Sequence, residues 1–134
     1  MAHILIVEDD RDNRDMTALI LSDAGHTVLS APDGVRGLHT ALHAQPDLII
    51  MDLALPRLDG WAATRHLKAN PATRHIPIIA FTAYPLHEDL ARALAAGCAA
   101  VIAKPFEISS FLNQIEVVLA QSQRQRALGA DPEA

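Results

Sequence analysis

Five short apolar runs, each followed by a stretch whose apolar residues recur at helical spacing, constrain this chain more than any other feature of it. The runs are His3 to Val7, Thr27 to Ala31, Leu48 to Met51, Pro77 to Phe81 and Ala99 to Ala103. They are rich in Ile, Val or Leu, as expected of strands buried on both faces. Helices are expected between them. Met16, Leu19 and Ile20 are spaced to share one face of the first, with Gly25 at its end. Val35, Leu38 and Leu42 mark the second, which follows Pro32-Asp33-Gly34. The third runs from about Trp61 to Ala69 and stops at Asn70-Pro71, and the fourth starts near Pro85 and ends at Ala95-Ala96-Gly97. The fifth has the clearest face: Ile108, Phe111, Leu112, Ile115, Val118 and Leu119.

Five βα units predict an open, doubly wound parallel sheet with helices on both faces. Right-handed crossovers leave few topologies, and the flavodoxin-like order 2-1-3-4-5 is the common one for a chain of 134 residues. The whole reads as one (βα)5 domain over residues 1–123, with 124–134 as a frayed tail. In that order the ends of strands 1 and 3 flank the switch point where ligands bind.

The residues that close the apolar runs are polar. Glu8-Asp9 follow the first, Asp52 the third, Thr82 the fourth and Lys104 the fifth. All of these fall at the carboxyl edge of the expected sheet. Three carboxylates at neighbouring strand ends repel one another, and a hard divalent cation such as Mg²⁺ relieves this. Lys104 and Thr82 add a cation and a hydroxyl that suit phosphoryl oxygens. An aspartate carboxylate can itself take a phosphoryl group as nucleophile. Each residue also has a plainer role: Asp10 and Asp12 are read as helix caps, and Lys104 alone would be a salt bridge.

Composition narrows the function. With Lys+Arg 11 against Asp+Glu 16, overall charge does not favour nucleic acid or anionic membranes. The single cysteine, Cys98, cannot form an internal disulfide and reads as small apolar filler. No signal-peptide core or membrane-length apolar stretch is present, so a cytoplasmic location is expected. His39 and His43 lie four apart on one helix, which is too little for a metal site.

The stretches Ile4-Leu5-Ile6-Val7-Glu8-Asp9, Met51-Asp52 to Pro56 with Asp59-Gly60, Thr82-Ala83 and Lys104-Pro105-Phe106 together resemble the receiver domain of two-component response regulators. The likeness runs from His3 to about Leu119. It implies that Asp52 is the phosphoacceptor, served by a histidine kinase or phosphotransfer protein. It implies Mg²⁺ (or Mn²⁺) held by Glu8, Asp9, Asp52 and the backbone carbonyl of Ala54. Lys104 would pair with the phosphoryl group, Thr82 would move to hydrogen-bond it, and the Lys104-Pro105 bond would be cis. It further implies a stand-alone signalling module acting through protein contacts at helix 4, strand 5 and helix 5. Such a module is no enzyme beyond its own phosphorylation and dephosphorylation.

The chain departs from the family at Val101, where a Tyr or Phe usually carries the signal outward. Valine has no ring to swing, so weak coupling, or coupling through Thr82-Ala83-Tyr84-Pro85, is expected. Ala54 and Tyr84 occupy the positions that tune phosphoryl lifetime; an alanine that positions no water and a bulky tyrosine imply slow self-dephosphorylation. Three other readings compete. A haloacid-dehalogenase-like hydrolase wants a second Asp where Ala54 stands. A flavin-binding protein wants a Ser/Thr/Gly-rich loop where Glu8-Asp9-Asp10 stand. A phosphorylation-independent scaffold would need none of this chemistry.

Overall fold

In a computed structural model of the chain, strands β1 (His3–Val7), β2 (Thr27–Ala31), β3 (Leu48–Asp52), β4 (Ile78–Thr82) and β5 (Ala100–Ala103) pair in parallel in the order β2-β1-β3-β4-β5. Helices α1 (Arg11–Asp23), α2 (Gly34–Ala44), α3 (Gly60–Ala69), α4 (His87–Ala96) and α5 (Ile108–Ala127) connect and flank them. The structure describes residues 1–53, 59–82, 87–104 and 106–128, with only the backbone of 87–89. The expected positions Ala54, Tyr84 and Pro105 lie outside the described residues.

Alternation along the strands divides the core. Leu5, Val7, Ile49, Met51, Ile78 and Ala80 face Ala41 of α2, Ala63 and Leu67 of α3 and Ala93 of α4. Ile4, Ile6, Leu48, Ile50, Ile79 and Phe81 face Leu21 of α1 and Phe111, Ile115, Val118 and Leu119 of α5. The apolar run of β3 therefore has no exposed face, and every one of its residues is buried. Each such side chain taken from water contributes about 1.5–3 kcal/mol, which holds β3 at the centre and fixes where Asp52 emerges.

Several expectations need correcting. β2 and β5 are the edge strands: Thr27, Leu29 and Ser30 of β2 and Ala103 of β5 are exposed, so neither is buried on both faces. Helical spacing placed Met16 and Leu19 of α1 inward, yet they are 49% and 68% exposed, and Thr17 and Leu21 are the buried residues. In α2, Val35 and Leu42 are exposed while Gly34, Gly37 and Ala41 are buried. Gly37 approaches so closely that a Cβ there would stand 2.9 Å from Val7 Cγ2. Small residues let that helix lie flat on the sheet, and the larger ones are turned outward. Ile108, placed on the inner face of α5, is 52% exposed. The helix itself runs through Ala127, so residues 124–127 are helical where a frayed tail was expected. Cys98 is buried and free, as its reading as filler requires.

Three of the helices that begin at the carboxyl edge of the sheet, α1, α2 and α3, are capped by aspartates. Asp10 accepts from the Asn13 N–H at 3.0 Å, Asp33 from Arg36 at 2.8 Å and Asp59 from Ala62 at 2.8 Å. Each satisfies an orphan amide of a first turn. α3 then starts directly against the end of β3. The Gly60 N–H donates to the Leu53 carbonyl at 3.2 Å. A Cβ on Gly60 would collide with the Asp52 carbonyl oxygen and stand 2.6 Å from Leu53 Cα. Both neighbours are backbone and cannot rotate away. Gly60→Ala is therefore expected to destabilise the protein by about 3 kcal/mol, at the upper end of ordinary overpacking. Urea unfolding checks this; a change under 1 kcal/mol, on the order of a tolerated swap, would mean that α3 can slide away from β3.

Candidate functional site

Glu8, Asp9 and Asp52 come together because β1 and β3 are neighbours. Val7 is in register with Met51, so the residues that follow them stand side by side. The three carboxylates offer oxygen atoms that all lie within 4.8 Å of one another. Glu8 and Asp52 are buried, at 4% and 7% exposure, while Asp9 is exposed.

Lys104 reaches this group from the far side. β4 lies between β3 and β5, and strands spaced about 4.8 Å apart put the end of β5 roughly 10 Å from the end of β3. Only a long side chain spans that gap. Lys104 Nζ donates to Glu8 Oε1 at 2.7 Å and lies 3.6 Å from Asp52 Oδ2. Its backbone N–H donates to the Thr82 carbonyl at 2.8 Å, which anchors the segment after β5 to the end of β4. Phe81, Phe106 and Phe111 pack as a trio with ring centres 4.6–5.6 Å apart. The lysine crosses beside this apolar wall, 5.8 Å from the Phe81 ring centre. Thr82 closes β4 and is half-buried.

Two supports were not anticipated from sequence. The Arg14 guanidinium donates to the Glu8 carbonyl at 2.9 Å and weakly to that of Asp9 at 3.4 Å. The Asp10 N–H donates to Glu8 Oε2 at 3.2 Å. Glu8 thus has one oxygen on Lys104 and the other on backbone, which sets its rotamer. No motif marks an arginine that bonds to carbonyls five and six residues back; only the fold shows it. Asp10 caps α1 as expected; Asp12, also expected as a cap, lies inside the first turn of the helix instead, where it meets the dipole but caps nothing.

The electrostatics follow from burial. Burial pushes the Glu8 carboxyl up to about 7, with the nearby Asp52 carboxylate adding to the rise and the Lys104 ammonium opposing it. Burial pulls the Lys104 ammonium down, but Glu8 and Asp52 together outweigh this and hold it above its ordinary value. Two buried acids thus share Lys104, with the exposed Asp9 beside them. The donor set is all oxygen, and its excess negative charge suits a hard divalent cation better than a soft metal.

This has a pH consequence. A carboxyl whose folded value is raised binds a proton in the folded state that the unfolded chain does not. The Glu8 contribution to metal-free stability is therefore full below about 4.5 and is lost as pH rises through about 7. A cation in the cluster needs Glu8 ionised, so cation affinity is expected to rise with pH up to about 7 and then level off. Melts in chelator and Mg²⁺ titrations from pH 5 to 8 check both slopes, with Glu8→Gln as the control that lacks them. Identical pH slopes for wild type and Glu8→Gln would place the titration elsewhere.

The remaining candidates lie apart from the cluster. Val101 is half-buried in β5, in register with Ala80, and packs on the core under α2, α3 and α4. His39 and His43 stack with ring centres 5.1 Å apart, and His43 Nδ1 bonds to the His39 carbonyl rather than facing a common ligand position.

Comparison with known proteins places this geometry in context. The sequence model of the response regulator receiver domain matches residues 4–116. The chain is 33% identical over 124 residues to the DNA-binding dual master transcriptional regulator RpaA of Synechocystis, covering 92% of this chain and 52% of RpaA; it thus spans about half of that relative. It is 34% identical over 119 residues to the polar-differentiation response regulator DivK of Brucella anthropi, covering 89% of this chain and 97% of DivK. Among solved structures, the receiver domain of the sensor histidine kinase PA1611 of Pseudomonas aeruginosa superposes with a TM-score of 0.83 at 34% identity, over 89% of this chain and 98% of that one. That structure has a magnesium ion coordinated in its active-site cleft.

Proposed function

The chain belongs to the response regulator receiver family, and from that premise we propose that Asp52 accepts the phosphoryl group, with Glu8 and Asp9 joining it as ligands of Mg²⁺. The observation that carries the reading is the position of Asp52: it closes a wholly buried strand beside two other acids, with Lys104 Nζ 3.6 Å away. An Oδ of Asp52 attacks the phosphorus, the bond from phosphorus to the donor's leaving atom breaks, and an acyl phosphate forms on the side chain. Lys104 is already placed to bond an oxygen of that group, exchanging part of its hold on Glu8 for the new anion. Thr82, at the adjoining strand end, supplies a hydroxyl to do the same. When bound, the divalent cation neutralises the crowded carboxylates and the incoming phosphoryl oxygens. The side chains then supply position and charge rather than covalent acid–base work.

Receiver domains work with histidine kinases or phosphotransfer proteins, and we assign such a donor to this chain. Output through protein contacts on α4, β5 and α5 is the accompanying reading. It is supported by the likeness to DivK, which consists of little beyond the matched region. The hydrolase alternative is not favoured, since Ala54 stands where that chemistry wants a second acid.

The test is the intact mass of the protein after incubation with acetyl phosphate, with and without Mg²⁺. One phosphoryl group, added only with the metal present, is expected. Addition without metal, or none although Mg²⁺ binding is demonstrated independently, would count against the assignment of Asp52 and its neighbours.

A further inference from the structure

Valine at position 101 has no ring to carry a change outward along β5, yet α4 is joined to the site by another route. Gly60 begins α3 pressed against the Asp52 carbonyl, and its N–H is bonded to Leu53. The next residue, Trp61, is half-buried against the core cluster that contains Leu53 and Ala63 on the site side and Ala93 of α4. On α4 itself, the Arg92 guanidinium carbon stands 4.1 Å from the Trp61 ring centre. Asp52, Gly60, Trp61 and Arg92 therefore form a continuous chain of close contacts from the end of β3 to the middle of α4.

We propose that Arg92, stacked on Trp61, is a positioning residue that ties α4 to the phosphoacceptor strand end, so that a change at Asp52 reaches α4 through the first turn of α3. The proposal deepens the reading of Asp52 as phosphoacceptor and rests on it for its purpose. The physical reasons are two. The start of α3 is held against backbone atoms on one side and bonded to them on the other, so it follows any displacement of that strand end. Close-packed contacts pass displacement on instead of absorbing it. A guanidinium over an indole at a partly exposed site shifts an equilibrium by about two- to fivefold, which is enough to bias a helix between two placements. Arg92 touches none of the reacting atoms; it acts through Trp61.

The experiment is a double-mutant cycle read by amide hydrogen exchange of α4. Asp52→Asn perturbs the site without requiring a phosphoryl donor. It is made in the wild-type, Arg92→Ala and Arg92→Lys backgrounds. Because Trp61 is the sole tryptophan, its emission reports the first turn of α3 in each protein. Asp52→Asn is expected to change α4 exchange in the wild-type background and to change it at least twofold less in Arg92→Ala, with partial recovery in Arg92→Lys. Trp61 emission is expected to respond in all three. An equal α4 response with and without Arg92, or no α4 response in the wild-type background, overturns the proposal. The phosphoacceptor reading is judged separately, by the mass of acetyl phosphate-treated wild type. A missing adduct there would remove that reading, and the exchange data would still decide the tie.

Discussion

Asp52→Asn is expected to carry no phosphoryl group after treatment with acetyl phosphate and Mg²⁺, under conditions that fully modify the wild type. The amide keeps the shape of the side chain but is neutral and a far weaker nucleophile. Among the described residues, no other carboxylate has the same setting. Asp9 is exposed, and both oxygens of Glu8 are engaged by Lys104 and the Asp10 N–H. The substitution also removes one negative charge from a crowded cluster. Asp52 helps to raise the Glu8 carboxyl, so without it Glu8 ionises more easily and the metal-free protein gains stability at neutral pH. A gain in stability at neutral pH is therefore expected from urea unfolding in chelator. Intact mass and unfolding are independent readouts. An adduct retained in the variant would move the phosphoacceptor elsewhere. A loss of stability would mean that the attraction of Asp52 to Lys104 outweighs its repulsion by Glu8.

Lys104→Met is expected to have the largest effect on stability among the site residues. Methionine keeps much of the length and packing beside Phe81 but leaves two buried carboxylates without their cation. Removing one partner of a fully buried pair costs about 3–5 kcal/mol. Here the lysine side chain retains 23% exposure, so a loss of about 2 kcal/mol is the better expectation. The Glu8 carboxyl, relieved of the opposing ammonium, should titrate above its wild-type value. Saturating Mg²⁺ then has more to offset in the variant than in the wild type, and should return more stability to it. Melts of both proteins in chelator and in Mg²⁺ test this directly. Equal metal-induced gains would show that lysine and cation do not act on the same carboxylates. The variant should also lose phosphoryl yield, since no ammonium remains to neutralise the transferred group.

Much of the fold was legible in the chain. An uninterrupted apolar run such as Leu48 to Met51 can satisfy itself only between two layers of helices, and five strand-like runs separated by helical stretches leave one common topology. The polar residues at the strand ends were legible for the same reason: parallel strands all deliver their carboxyl ends to one edge, so Glu8, Asp52, Thr82 and Lys104 had to meet there. Asp10 was also fixed locally, because a cap bonds to an amide three residues on.

Distances and faces were decided only in three dimensions. Sequence could not say that Lys104 prefers Glu8 at 2.7 Å to Asp52 at 3.6 Å, because that choice depends on how two loops from opposite ends of the chain are held. Nor could it say that Met16, Leu19, Val35 and Leu42 face outward, because spacing identifies an apolar stripe but not which stripe a sheet accepts. Gly37 and Ala41 lie flat on β1 where larger residues would not fit, and that close approach turned α2. Arg92 and Trp61 are 31 positions apart in the chain and carry no motif; their contact exists because α3 and α4 pack on the same face of the sheet. Local chemistry and period were written in the sequence. Which long side chains meet, and at what distance, depends on contacts between segments remote in the chain, and those came only with the folded structure.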